Sequence, residues 1–139
     1  MSNSQITSSL VVDSERLNFL TKYFGNLMLI GESMVYQFAD KLSGDYTGGR
    51  WYFYELSNGG FYMAPAYGSP MSITVQGNYF IGSMSSDAAG IVITLFALNT
   101  LVNEFHKRHD VDNLMDCYFF LRNYACEHPE SSLILQAID

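Results

Sequence analysis

The stretch Arg50-Trp-Tyr-Phe-Tyr-Glu-Leu56, Ser57-Asn-Gly-Gly60, Phe61-Tyr-Met-Ala-Pro65 decides the fold. A run of aromatic residues, a turn signal and a second apolar run read as a β-hairpin. Asn58-Gly59 is the strongest short-range hairpin signal, because both turn positions then take φ > 0. Pro65 stops the return strand, since it has no N–H to donate.

Downstream of the hairpin, Met71, Ile73 and Val75 alternate with Ser72, Thr74 and Gln76, the pattern of a half-buried strand. Gly77-Asn78 marks another turn, and Tyr79-Phe80-Ile81 follows as a strand. The expectation is a small antiparallel meander of three or four strands. Ser85-Ser86-Asp87 then caps a helix and places an acid in its first turn. Ala88–Leu98 is apolar except for Gly90 and Thr94, so this helix should be buried on nearly all sides and end near residues 105–107. Asp110 or Asp112 caps the next helix, which carries Leu114, Tyr118, Leu121 and Ala125 at helical spacing and runs to about Glu127. Pro129 breaks the chain before a short helix over Ser131–Ile138.

Upstream, residues 1–12 are rich in Ser and Asn and are expected to be a flexible N-terminus. Asp13 and Ser14 are N-cap candidates for a helix with Leu17, Leu20, Tyr23 and Phe24 at helical spacing, closed by Gly25. A second helix over residues 27–42 presents Met34, Val35 and Phe38, with Leu42 one turn on, and residues 43–49 form a loop. Helices, then a β-meander, then helices, give an α+β fold: one domain over residues 13–139, its small sheet packed on the apolar helix.

Composition sets the limits of function. The 139 residues are 48% apolar and 15% charged, with 14 acids against 7 bases and a net charge of −7. That is enough chain for one core without disulfides or structural metal. An acidic chain does not attract a phosphate backbone, so no direct nucleic-acid binding is expected. The acids are scattered from Asp13 to Asp139 without a run. A surface imitating DNA needs about one charge per ~1.7 Å of duplex axis, a density this chain lacks. Cys117 and Cys126 lie nine residues apart on one helix, on opposite faces, and cannot bridge each other. They read as buried free thiols of a reducing compartment. The first ten residues lack a basic region followed by an apolar core, and no apolar run approaches the ~20 residues of a membrane span. The reading is a cytoplasmic chain without a membrane partner.

Catalytic and phosphate-binding motifs are absent: GxxxxGK[ST], GxGxxG, GxSxG and HExxH do not occur. His106 and His109 stand three apart with Asp110, Asp112 and Asp116 beyond, a spacing open to metal binding. A basic helix end meeting an acidic helix start explains the cluster better. Cys117, between Asp116 and Tyr118, lacks the electropositive surroundings of a nucleophile. The expectation is no enzyme, no cofactor and no metal. The alternation of Trp51, Tyr52, Phe53, Tyr54, Phe61 and Tyr62 sends about half of them to each sheet face. The simpler reading makes them the core of a small sheet. The functional one makes the second face an aromatic anchor for a protein partner.

The segments Phe24-Gly-Asn-Leu-Met-Leu-Ile-Gly-Glu-Ser-Met-Val-Tyr36, Gly49 to Pro65, and Ser86-Asp-Ala-Ala-Gly-Ile-Val-Ile-Thr-Leu-Phe-Ala-Leu98 resemble the antirestriction proteins of the ArdB/KlcA type. The similarity runs from about Leu17 to the C-terminal helices. It implies a protein of plasmids and other mobile elements that shields incoming unmodified DNA. Its targets would be type I restriction-modification enzymes or their DNA complexes, met directly or indirectly. Cleavage would be blocked and methylation spared, without enzymatic activity and without DNA mimicry. An acidic decoy that occludes the enzyme's DNA-binding site is the alternative. The chain departs from the family pattern at Leu27 and Ile30, where arginines are frequent, and at Tyr52, where His is frequent.

The resemblance carries over no catalytic residue, so the candidate interaction surface is drawn from physical reasoning. Trp51, Tyr54, Glu55, Asn58 and Tyr62 lie in the most specific motif, although the turn alone accounts for Asn58. Asp87 doubles as a helix-start acid. Asp139 is read as a carboxylate pair, side chain and terminus, suited to a basic partner. A small sheet has two edges, so a monomer and a weak edge-paired dimer both stay open.

Overall fold

The computed structural model describes residues 5–139. Its centre is the apolar helix α3 (Ser86–Phe105), in which Ile91, Val92, Ile93, Leu95, Leu98 and Leu101 are all buried. Burying each such side chain stabilises the fold by about 1.5–3 kcal/mol. The helix is long and apolar enough to cross a membrane, a length the sequence reading did not credit, but most of it is enclosed by the rest of the chain. Ser85 starts it as expected, its Oγ accepting the Ala88 N–H.

Around α3 the order is β1 (Ser8–Leu10), α1 (Arg16–Phe24), α2 (Met28–Leu42), β2 (Trp51–Leu56), β3 (Phe61–Pro65), β4 (Met71–Val75) and β5 (Phe80–Met84) before it. After it come α4 (Asp112–Glu127) and α5 (Ser131–Ile138). The class is α+β, with the strands divided between two antiparallel sheets, β1-β2-β3 and β4-β5, among the described residues. The continuous meander is therefore replaced by two smaller units. The reason lies at β3. Leu56 N–H donates to Gly60 O and Ala66 N–H to Arg50 O, so the backbone of Met63 turns away from β2. That outer edge is occupied by α3 at Gly90 and Thr94, which leaves β4 no place to pair. β4 pairs instead with β5, Thr74 opposite Ile81.

The third strand of the first sheet comes from the segment expected to be flexible. Ser9 pairs with Glu55 and Leu10 with Tyr54, and Val11 N–H donates to Phe53 O. Residues 1–4 of that expectation lie outside the described residues. α1 starts at Arg16 after a 3₁₀ turn, without a side-chain cap from Asp13 or Ser14. Asp13 instead pairs with Arg50 at 2.6 Å. Gly25 closes α1 at φ 55°, as expected. Of the two hairpin-turn residues only Gly59 has positive φ, because Asn58 is used differently. Its Oδ1 accepts Gly60 N–H and its Nδ2 donates to Phe120 O, tying the turn to α4. Cys117 is buried as read, but Cys126 is exposed, on the solvent side of α4.

Candidate functional site

Alternation along β2 and β3 gives the first sheet two different faces. Phe53 and Phe61 lie on one, covered by α1, with Phe19 stacked on Phe53 at 4.8 Å and Tyr23 on Phe61 at 4.5 Å. Trp51 shares this face and is buried. Its Nε1–H donates to Tyr46 Oη at 3.0 Å, and its carbonyl accepts Arg16. Trp51 is thus a core residue and not a surface anchor. Glu55 lies at the rim of the same face. Its Oε2 accepts Lys22 Nζ at 2.9 Å and the Tyr23 hydroxyl at 2.8 Å. These two donors hold the Glu55 carboxyl below its ordinary range, and burial together with Glu55 pushes the Tyr23 phenol up.

The opposite face carries a row of tyrosines. Tyr52 meets Tyr54 edge-on at 6.3 Å, Tyr54 stacks on Tyr62 at 4.8 Å, and Tyr62 stacks on Tyr124 of α4 at 5.8 Å. Tyr52 is exposed and Tyr54 half-buried, whereas Tyr62 is buried. The row ends on a polar network. The Tyr62 hydroxyl donates to Asp87 Oδ1 at 2.7 Å, and Asp87 Oδ2 accepts His128 Nε2 at 2.9 Å. His128 Nδ1 accepts Glu130 N–H at 3.0 Å, which assigns the ring proton to Nε2. The Glu130 carboxylate accepts both the N–H and the hydroxyl of Ser85, the α3 cap. Five elements or their junctions are thereby bolted together: β2, β3, the start of α3, the end of α4 and the start of α5.

Of the sequence candidates, Tyr54, Tyr62 and Asp87 converge here. Glu55 sits on the other face, Asn58 serves the turn, and Asp139 lies at the end of α5, its Oδ1 3.7 Å from Arg122. Tyr124, His128, Glu130 and Ser85 were missed as members. Forty-one residues separate His128 from Asp87, and no local pattern joins them.

Chemically the cluster is a phenol and an imidazole donating to the Asp87 carboxylate, with the Glu130 carboxylate beyond them on Ser85. Burial first, and Asp87 second, push the phenols of Tyr54 and Tyr62 up, so neither serves as a base near neutral pH. Among the described residues no three of His, Cys, Asp and Glu stand close enough to hold a metal ion. Cys117 is pushed up to about 11 by burial and by Asp116, which removes its nucleophilic character. What the face offers a partner is aromatic area, from Tyr52 and Tyr54, next to an Asp87 side chain that is 38% exposed.

A protein-family model described as antirestriction protein matches residues 44–139. Two antirestriction proteins KlcA from Escherichia coli are each 48% identical to the chain. They align over 135 and 139 residues, 96% and 98% of this chain and 95% of each relative. A solved structure superposes with a TM-score of 0.91 at 47% identity and covers 100% of both chains. It comes from work on KlcA and ArdB, which show a novel fold and antirestriction activity against type I DNA restriction systems in vivo but not in vitro.

Proposed function

The chain belongs to the antirestriction protein family, and on that premise we propose that it counteracts type I DNA restriction inside the cell. It protects incoming unmodified DNA by interfering with cleavage through protein contact and leaves methylation in place. The observation that carries this reading is the full-length match, in sequence and in backbone, to a structure with that activity. Activity of that neighbour in vivo but not in vitro favours an effect that needs a cellular component or state beyond the restriction enzyme and its DNA.

The placement of the carboxylates argues against a DNA-mimicking decoy. Mimicry needs free carboxylates in a regular row. Here many are engaged within the fold: Asp13 with Arg50, Glu55 with Lys22, Asp87 with Tyr62 and His128, Glu130 with Ser85, Asp45 with the Ser72 N–H and Glu32 with Tyr36. The chemistry of the tyrosine face argues for binding over catalysis, with Tyr52, Tyr54 and Asp87 as contact groups of the kind that anchor protein interfaces.

The test is the plating efficiency of unmodified phage on a host with an active type I system, with and without the protein, followed by a second plating that reads methylation. Restored plating with methylation intact is the expected result. Loss of methylation as well would point to occluded DNA binding and revive the decoy. Unchanged restriction in cells holding folded protein would end the reading.

A further inference from the structure

Tyr79 is the non-glycine residue with positive φ among the described residues, at φ 62° and ψ 20°. A bulky side chain in the left-handed region is strained, whereas Asn or Gly accepts it readily. The β4–β5 turn does contain an asparagine, but one position too early. Asn78 Oδ1 accepts Phe80 N–H at 3.0 Å, and Asn78 Nδ2 donates to Ala137 O at 2.8 Å. Stitching the turn to the end of α5 thus occupies Asn78 and leaves the left-handed position to Tyr79. Packing does not compensate for the strain, since Tyr79 is 91% exposed.

The surroundings share this bias toward the outside. Phe80 turns inward, its ring over Gly82, while Ile81 stands 79% exposed. Ser72, Thr74 and Ser83, also outward, complete a hairpin face without a charge. On a chain of net charge −7, an uncharged strip with two large apolar side chains is a local exception. The bond from Asn78 to Ala137 fixes this strip beside Asp139. The Asp139 carboxylate reaches solvent, and Arg122 satisfies it only loosely at 3.7 Å.

The geometry points to the β4–β5 tip as a docking element. Tyr79 and Ile81 seat in an apolar recess of a protein partner, and a lysine or arginine on the rim of that recess faces Asp139. Aromatic and aliphatic anchors held out on a rigid turn suit such a recess. A nucleic acid suits this face poorly, because the strip itself carries no cation, Lys41 stands off in the groove lined by Thr74 and Gln76, and Arg122 is already paired with Asp139. The inference rests on the antirestriction reading and adds to the tyrosine face a second contact, on the other sheet. Backbone strain kept at an exposed aromatic residue is the kind of local rule-breaking that functional sites retain.

Three variants test it: Tyr79→Asn, which suits the left-handed turn but removes the ring, Tyr79→Phe, which keeps the ring, and Ile81→Ser. Each is compared with the unsubstituted chain by thermal unfolding and by plating of unmodified phage on a type I-restricting host. Tyr79→Asn should melt at the same temperature or a few degrees higher, yet protect about tenfold less or worse. Tyr79→Phe should protect within about twofold of the parent. Ile81→Ser should lower protection without lowering the melting temperature. Full protection by Tyr79→Asn overturns the proposal while the antirestriction reading stands. If Tyr79→Asn loses both melting temperature and protection, Ile81→Ser decides: full protection overturns the proposal, and loss at unchanged melting supports it. No protection by the unsubstituted chain overturns the reading, and the proposal falls with it.

Discussion

The hydroxyl of Thr94, inside the apolar core helix, holds both outward backbone groups of Met63. It accepts the N–H at 3.1 Å and donates to the C=O at 3.2 Å. One side chain thus replaces the neighbouring strand that β3 lacks and closes a sheet edge against further pairing. Thr94→Val keeps the shape and leaves two buried backbone groups unpaired, a cost of about 1–3 kcal/mol. Thr94→Ser keeps the hydroxyl and should cost less. Urea unfolding of the two variants checks this, and equal midpoints would mean the edge does not depend on the hydroxyl.

One turn before Thr94, Gly90 lets α3 approach β3. A Cβ at this position would sit 2.5 Å from Ala64 Cα and 2.6 Å from Met63 O, both backbone atoms that cannot step aside. Gly90→Ala should therefore destabilise by about 1–3 kcal/mol or more, despite the better helix propensity of alanine. Gly68→Ala is the control, because nothing lies within 4 Å of its Cβ position. That variant should stay within about 0.5 kcal/mol of the parent. Thermal unfolding of both separates crowding from a general intolerance of substitution.

The Tyr62–Asp87–His128 chain should behave as one unit. Tyr62→Phe removes one hydrogen bond to Asp87, at about 1 kcal/mol. His128→Ala removes the other and also strands the Glu130 N–H. Because both partners share Asp87, the double variant should depart from additivity by about 0.5–3 kcal/mol. A double-mutant cycle by urea unfolding measures this, and strict additivity would show that the two bonds are independent.

What could be read in the sequence was local. The alternation of Met71, Ile73 and Val75 against Ser72 and Thr74 appears as buried and exposed residues in turn, and Ser85 caps α3 as its position suggested. Thr94 stood out in the sequence only as a polar interruption of an apolar run. Its role depends on which backbone lies opposite, and 31 residues separate it from Met63. β1 escaped for the same reason: Ser8–Leu10 has no pattern of its own and becomes a strand because β2 offers it an edge. Within the site, Tyr54, Tyr62 and Asp87 were found through an unusual motif and a helix start. His128 and Tyr124 come from the far end of α4, and only the packed structure brings them in.

Stability should fall at both ends of the pH scale, for separate reasons. Glu55 titrates below the ordinary 4.5 because Lys22 and Tyr23 donate to it in the folded state. Its contribution is therefore present above that ordinary value and is lost as pH falls through the folded one. Its side chain is 39% exposed, so solvent screening keeps this acid limb shallow. At the alkaline end, Tyr23, Tyr36 and Tyr62 are raised above 10.0, first by burial and then by Glu55, Glu32 and Asp87. Above pH 10 the unfolded chain releases these phenolic protons and the folded chain keeps them, so stability declines as pH rises further. Urea midpoints measured across the range should form a plateau with a shallow acid shoulder and a steeper alkaline one. Tyr62→Phe should flatten the alkaline shoulder and Glu55→Gln the acid one. An alkaline slope unchanged in Tyr62→Phe would mean that the buried phenol beside Asp87 is not what resists ionisation.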